Sequence, residues 1–395
     1  MRFFSYFEED EMSRLFYQKP QPFNKNSNRE QLSYALGATL YMPATRPHFY
    51  EDILKQKQKG LTSLVVDLED AVGDLNVQHA EACLMEGFWE LYERVNNGLI
   101  MMNELPLLFF RIRNIEQFTR VYRSLGGAAQ LLTGVVLPKF EAESGRELLK
   151  EISRITANEQ PFYVMPILES EKVIKKETRM SELIQIKQIL DKHREHILNV
   201  RIGATDFSGI YGIRRSADTS VYEIAVLRDC IADIINVFQR VDCPYVISGP
   251  VWEYFSSKER MLKPQLRQTP FRDHFGEEGL KWRSELIDQN MDGLIREILM
   301  DIANGLTGKT IIHPSHIKVV QALNVVTFEE YLDALAINES ATGEFGVRRS
   351  HFFNKMNEVK PHFYWAQRIL LKSEIYGVLN EGYTNIDLIK QGVFV

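Results

Sequence analysis

Charged residues in this chain recur directly after short apolar runs. VVDLED carries Asp67, Glu69 and Asp70, FRIRN carries Arg111 and Arg113, and LPKFE carries Lys139 and Glu141. ILES ends near Glu169, IGATDF holds Asp206, LYMPATR ends in Arg46, and KTIIH ends in His313. A hard divalent cation such as Mg²⁺ takes one or two carboxylates and keeps water for a substrate to displace, so Glu169 and Asp206 form a candidate ligand pair. Arginine beside such a pair suits an anionic substrate, because the guanidinium is a planar fork that contacts two oxygens together. This combination fits a reaction in which negative charge builds on a substrate oxygen and is stabilised by a metal and an arginine. A proton must also move, and the candidate bases are a metal-bound water or Asp67.

These groups meet only if the elements carrying them bring the run ends together. Eight β-rich runs occur in order: ATLYMPATR, SLVVDLED, LLFFRIRN, GVVLPKF, FYVMPILES, NVRIGATDF, PYVISGPVW and KTIIHPSHI. Helical patterns follow them, at His48–Lys59, His79–Val95, Ser144–Ile155, Ser181–Ile197, Val221–Val241, near Gly279–Asn304, and from Ile317. The runs are continuous rather than alternating, as in parallel strands buried on both faces. Eight such units predict an α/β chain folded as a (β/α)8 TIM barrel, whose reactive groups project from the C-terminal ends of the strands. A doubly wound sheet is the rival, but no glycine-rich dinucleotide fingerprint follows the first run. The expected organisation is an N-terminal extension over residues 1–32, the barrel over 33–326, and a helical C-terminal arm over 327–395.

Composition narrows the function classes. The 395 residues are 45% hydrophobic and 25% charged, which excludes disorder and simple fibrous repeats. A net charge of −6 gives no basic footprint for nucleic acid or anionic membrane. Cys83, Cys230 and Cys243 form no CxxC pair and suit a reducing compartment. No run reaches the ~18 apolar residues of a membrane span, and the acidic start MRFFSYFEEDEM is unlike a signal peptide, so a cytoplasmic protein is expected.

The motifs LYMPATRP, VVDLEDAV, FRIRN, GVVLPK, PILES, IGATDFSGIYG and GKTIIHPSHI, in that order, resemble the HpcH/HpaI aldolase and citrate lyase β-subunit family of metal-dependent carbon–carbon lyases. The resemblance implies that Glu169 and Asp206 bind Mg²⁺ or Mn²⁺, and that Arg111 contacts the substrate's carboxylate and oxo oxygen. It further implies that Glu69 and Asp70 orient metal-bound waters and that Arg46 lines the mouth. The implied substrate is a small oxo acid or an acyl-CoA-like thioester. The implied assembly is a homo-oligomer, a trimer or a multiple of it, with the arm over a neighbouring mouth. Three departures mark a divergent branch, similar to the lyase of bacterial stress and tellurium-resistance clusters. Thr205 stands where typical members have an acid, the interval from Glu169 to Asp206 is long, and MNEVKP replaces the arm's MVDxP, leaving Glu358 out of register.

Two other readings use the same residues. Lys139 is a candidate for a Schiff-base aldolase, and also for a substrate-binding cation or a salt bridge in the mouth. Alternatively, the barrel is an inactive subunit that binds a metabolite or a partner. Arg113 falls on the opposite strand face from Arg111 and is expected to be structural. His313 is expected to orient the HPS turn, and Arg214–Arg215 to be either a phosphate fork or an exposed pair.

Overall fold

The computed structural model describes residues 1–157, 161–255, 289–340 and 346–393. Eight parallel strands close one barrel: β1 (Ala38–Pro43), β2 (Ser63–Asp67), β3 (Leu107–Arg111), β4 (Leu132–Leu137), β5 (Tyr163–Leu168), β6 (Val200–Ile202), β7 (Ile247–Trp252) and β8 (Lys309–Ile311). Thr39 pairs with Ser63, Ser63 with Leu107, and the ring closes where Ala38 meets Lys309. Every residue of β2, β3, β4 and β5 is buried, which is why those runs are largely apolar, with Ser63 and Thr133 among the few polar residues inside them. The TIM barrel expected from the sequence is the fold.

Helices α1 (Phe49–Gln58), α2 (Val77–Asn96), α3 (Ile115–Leu125), α4 (Ala142–Ile155), α5 (Lys176–Lys192), α6 (Ala225–Phe238), α7 (Gln289–Ala303) and α8 (Ile317–Leu323) cover the strands. In α3 the Asn114 side chain accepts from the Gln117 N–H at the start, and Phe118, Val121, Tyr122 and Leu125 make the buried stripe. The largest boundary differences from the pattern are in α5 and α6, which run Lys176–Lys192 rather than Ser181–Ile197 and Ala225–Phe238 rather than Val221–Val241. α5 stops at Lys192 because the Ile197 backbone is taken by a bridge to Val164 of β5. α6 starts at Ala225 because Ser220 caps a separate 3-10 turn at Val221–Glu223. The part of the expected seventh helix before Gln289 lies outside the described residues.

Both ends of the chain pack beneath the barrel, opposite the charged strand ends. Phe3, Phe4 and Phe7 are buried in the same apolar cluster as the strands, and Phe3 stacks on Tyr376 at 4.5 Å. Residues Phe16–Gln18 pair antiparallel with Val378–Leu379. The polar stretch before the barrel is docked too: Lys25 donates to the Leu132 carbonyl at 3.1 Å, and Arg29 to that of Ile197 at 2.9 Å. In the C-terminal region α9 (Phe328–Glu339) and α10 (Val359–Tyr376) bury Ala334, Ile337, Ala366 and Ile369 between them. α11 (Asn385–Val393) returns Leu388 and Ile389 to the main core. Among the described residues no helix is long and apolar enough to cross a membrane.

A buried ionic cluster pins α7 to the last strand. Lys309 bonds Glu297 at 2.9 Å and Asp301 at 2.7 Å, while Arg215 reaches Glu297 and the Tyr222 hydroxyl donates to Asp301 at 2.7 Å. Glu297 is fully buried, so removing it takes a carboxylate from two buried cations and leaves Lys309 with Asp301 and Arg215 with Glu253. Glu297→Ala is expected to cost about 3–5 kcal/mol in denaturant unfolding; a loss below ~1 kcal/mol would show that the cluster does not hold the fold.

Candidate active site

Strand order brings the predicted acids and cations to one mouth. Asp67 ends β2, Arg111 ends β3, Lys139 and Glu169 follow β4 and β5, and Asp206 lies in the short helix Ala204–Ile210 after β6. They surround a cavity of about 870 Å³ lined by Tyr41, Asp70, Arg111, Glu169, Arg201 and Asp206, among others.

Arg111 is held by carboxylates. Its Nε donates to Asp67 Oδ1 at 2.6 Å and its Nη2 to Asp67 Oδ2, while Nη1 lies 3.0 Å from Glu69 and 3.2 Å from Asp70. Asp67 also accepts the backbone N–H groups of Glu69 at 2.9 Å and Ala71 at 3.1 Å. Those four donors fill the acceptor directions of one carboxylate. Asp67 therefore orients Arg111 and shapes the DLEDA turn, an arrangement that counts against Asp67, and not against a metal-bound water, as the base. Arg113 fulfils its expected structural role, donating to the Leu68 carbonyl at 2.8 Å and pairing with Asp74.

Lys139 bridges the acids of three strand ends. Its Nζ contacts Glu69, Asp70 at 3.2 Å and Asp206 at 3.8 Å. Partial burial opposes its charge, but the bond to Glu69 and the nearby carboxylates hold its pKa well above the ordinary lysine value. A Schiff-base lysine needs a neutral amine and a lowered pKa, so this geometry counts against that reading. The backbone at Lys139 is left-handed, φ +48°, and this turn aims its N–H at Glu169 Oε1, 2.9 Å away.

Glu169 is 4% exposed, and burial followed by the Asp206 charge pushes its carboxyl up to about 8. Asp206 is pushed up by burial and then by the Asp70 charge, and it lies within hydrogen-bonding reach of Glu169. Two neighbouring carboxyls whose ionisation is disfavoured suit a shared cation. Among the described residues no group of three or more His, Cys, Asp or Glu side chains is spaced to hold a metal, which leaves Glu169 and Asp206 as a two-carboxylate candidate set. A pair fits Mg²⁺, which retains several waters, better than it fits Zn²⁺, which takes three or four protein ligands. Asp70 is placed beside this pair and Glu69 behind it, both tied to Lys139 and Arg111.

Other expected residues are placed elsewhere. Arg46 turns back to Asp52 and does not line the cavity. The His313 ring takes the Ser315 N–H at 3.2 Å, the expected turn-orienting role. Arg215 is neither exposed nor a phosphate fork, since Glu297 and Glu253 hold it. Glu253, one residue past β7, was not singled out by the sequence, yet it accepts from the Thr205 hydroxyl at 2.8 Å. It supplies a carboxylate next to the position where typical relatives carry an acid. Arg201, inside β6, was also hidden within an apolar run.

The chain belongs to the family described as C-C bond lyase of the TIM-barrel fold, which matches residues 30–378. Among solved structures it is similar to the protein CitE of Mycobacterium tuberculosis in complex with magnesium, acetoacetate and coenzyme A, at 18% identity and a TM-score of 0.52, covering 86% of this chain and 99% of that one. It is similar as well to a citrate lyase from Burkholderia xenovorans LB400, at 14% identity and a TM-score of 0.59, covering 91% and 96%. At these identities the likeness bears on the fold. A comparison with curated proteins returns no match.

Gly203 shows how tightly Glu169 is held. A Cβ at this position would lie 2.0 Å from Glu169 Oε2, whereas one at Gly209 meets nothing within 4 Å. Gly203→Ala is expected to lower stability by about 1–3 kcal/mol, with Gly209→Ala within ~0.5 kcal/mol of the parent. Equal unfolding midpoints for the two variants would show that the carboxylate is free to move.

Proposed function

We propose that this chain is a Mg²⁺-dependent lyase that makes or breaks a carbon–carbon bond next to the carbonyl of a 2-oxo acid. The observation that carries the reading is the pair of neighbouring carboxyls, buried Glu169 and half-buried Asp206, both with their ionisation disfavoured, sharing one cavity with Arg111 in a member of a carbon–carbon lyase family. The CitE structure that this fold resembles is described with magnesium and acetoacetate, which accords with the assignment. A divalent cation held by Glu169 and Asp206 would supply Lewis acidity to a substrate carbonyl oxygen. Arg111, fixed by Asp67, lines the cavity, where its preorganised guanidinium would meet charge developing on a substrate oxygen. Lys139 keeps Glu69 and Asp70 in place and limits the repulsion among the acids.

The test is a product-resolved screen of 2-oxo acids, hydroxy acids and acyl-CoA thioesters in Mg²⁺ and in EDTA. Mg²⁺-dependent cleavage or condensation is expected. Binding without turnover of any probe would instead support the inactive-subunit reading. On the active substrate, Arg111→Lys keeps the charge but loses the fork, and turnover is expected to fall by about 10²–10³. Near-normal turnover would reduce Arg111 to a structural ion pair.

The reading extends to assembly as a homo-oligomer, with a trimer expected. Phe353 is 69% exposed, Met356 60%, Tyr364 48% and Trp365 36%, a concentration of apolar surface on the C-terminal arm. Light scattering of the full chain is expected to give a trimer or a multiple, and Trp365→Glu to shift it towards monomer. A monomeric parent at micromolar concentration would contradict this.

A further inference from the structure

Arg201 lies on β6 inside the barrel and is 1% exposed. Its contacts come from three other strands. Nη2 donates to Thr310 Oγ1 of β8 at 2.7 Å, and Nη1 lies 3.4 Å from Thr39 Oγ1 of β1 and 3.8 Å from Met165 Sδ of β5. All three partners are neutral. The Nε–H has no partner, and no carboxylate among the described residues pairs with the guanidinium. Arginine cannot escape by losing its proton, so this is a buried charge left uncompensated, an arrangement that is strongly unfavourable unless something else completes it.

Arg111 is the opposite case. Three carboxylates already surround it, so an incoming anion meets a cation whose charge is largely balanced. Both guanidinium groups lie against the Tyr41 ring, Arg111 at 5.5 Å and Arg201 at 5.6 Å from its centre. The Tyr41 hydroxyl is buried without a partner as well. Tyr41, Arg201 and Thr310 line the same cavity as Glu169 and Asp206. Arg201 pairs in register with Ile167, two residues before Glu169, which sets it roughly 7 Å of strand deeper than that carboxylate. The cavity thus has an acidic rim suited to a cation and, below it, a cationic floor with no anion of its own.

We propose that Arg201 binds a second carboxylate of the substrate, so that the 2-oxo acid taken by this barrel is a diacid whose far end points down between the strands. The inference rests on the reading of Glu169 and Asp206 as the rim that takes the 2-oxo end through a metal. Arg201 is then a binding residue that sets specificity. A monoacid leaves its charge unpaired, and that penalty discriminates more strongly than the fit of an apolar tail.

The experiment is calorimetric titration of the full chain with two matched pairs of acids, in Mg²⁺ and again in EDTA. Oxaloacetate is compared with 2-oxobutanoate, and 2-oxoglutarate with 2-oxopentanoate. Within each pair the carbon count is the same and a carboxylate replaces a methyl group. In at least one pair the diacid is expected to bind about 10²-fold more tightly. Arg201→Met and Arg201→Gln should erase that margin while leaving monoacid affinity unchanged. Because both variants remove an uncompensated charge, their Tm should match or exceed that of the parent, and the diacid should raise the Tm of the parent alone. Equal affinities within both pairs, or a preference that survives either substitution, would overturn the proposal. A diacid preference indifferent to Mg²⁺ would keep Arg201 and sink the metal reading. Mg²⁺-dependent binding of all four acids alike would do the reverse.

Discussion

Like-charge crowding at the barrel mouth is the constraint on which the rest of the site depends. Asp67, Glu69, Asp70, Glu169 and Asp206 converge there, and Arg111 and Lys139 are the cations bonded to them. The protein settles part of this imbalance itself. Asp67 takes both edges of the Arg111 fork and two backbone donors, and Lys139 is shared among three acids. What stays unsettled is the Glu169–Asp206 pair: burial and the Asp206 charge disfavour ionisation of Glu169, and burial and the Asp70 charge disfavour that of Asp206. A divalent cation is the simplest group that completes it, because it brings concentrated charge and needs only one or two protein carboxylates.

The barrel separates this unstable chemistry from the work of staying folded. The phenylalanines of the N-terminus and the last helix close the bottom, and the Lys309–Glu297–Asp301 cluster fastens α7 to β8 on the flank. The charged mouth is built on strand ends that these contacts hold in place. This division lets the chain tolerate crowded acids, a forced φ at Lys139 and an obligatory glycine at position 203.

Much of this was legible in the sequence, because strands buried on both faces leave long apolar runs and the first polar residue after each run marks the mouth. That logic placed Glu169, Asp206, Arg111 and Lys139 together. It failed where position alone does not say which way a side chain turns. Arg46 follows its strand at the right place but folds back on Asp52. Arg215 read as a phosphate fork or an exposed residue because its partners, Glu253 and Glu297, are 38 and 82 residues away along the chain. The N-terminal segment read as an extension because its buried phenylalanines are scattered among polar residues. Arg201 left one faint signal, a lone charge in the middle of a strand run, and periodicity treats such a charge as noise. Its meaning emerges only when all its neighbours prove to be neutral.

The central claim is that Glu169 and Asp206 form a divalent-cation site, and the most direct measurement is Mg²⁺ titration by calorimetry of the parent chain and of Glu169→Gln and Asp206→Asn. The account predicts one site per chain in the parent, lost in each variant while the folded state persists by circular dichroism. Mg²⁺ affinity unchanged in both variants would contradict it.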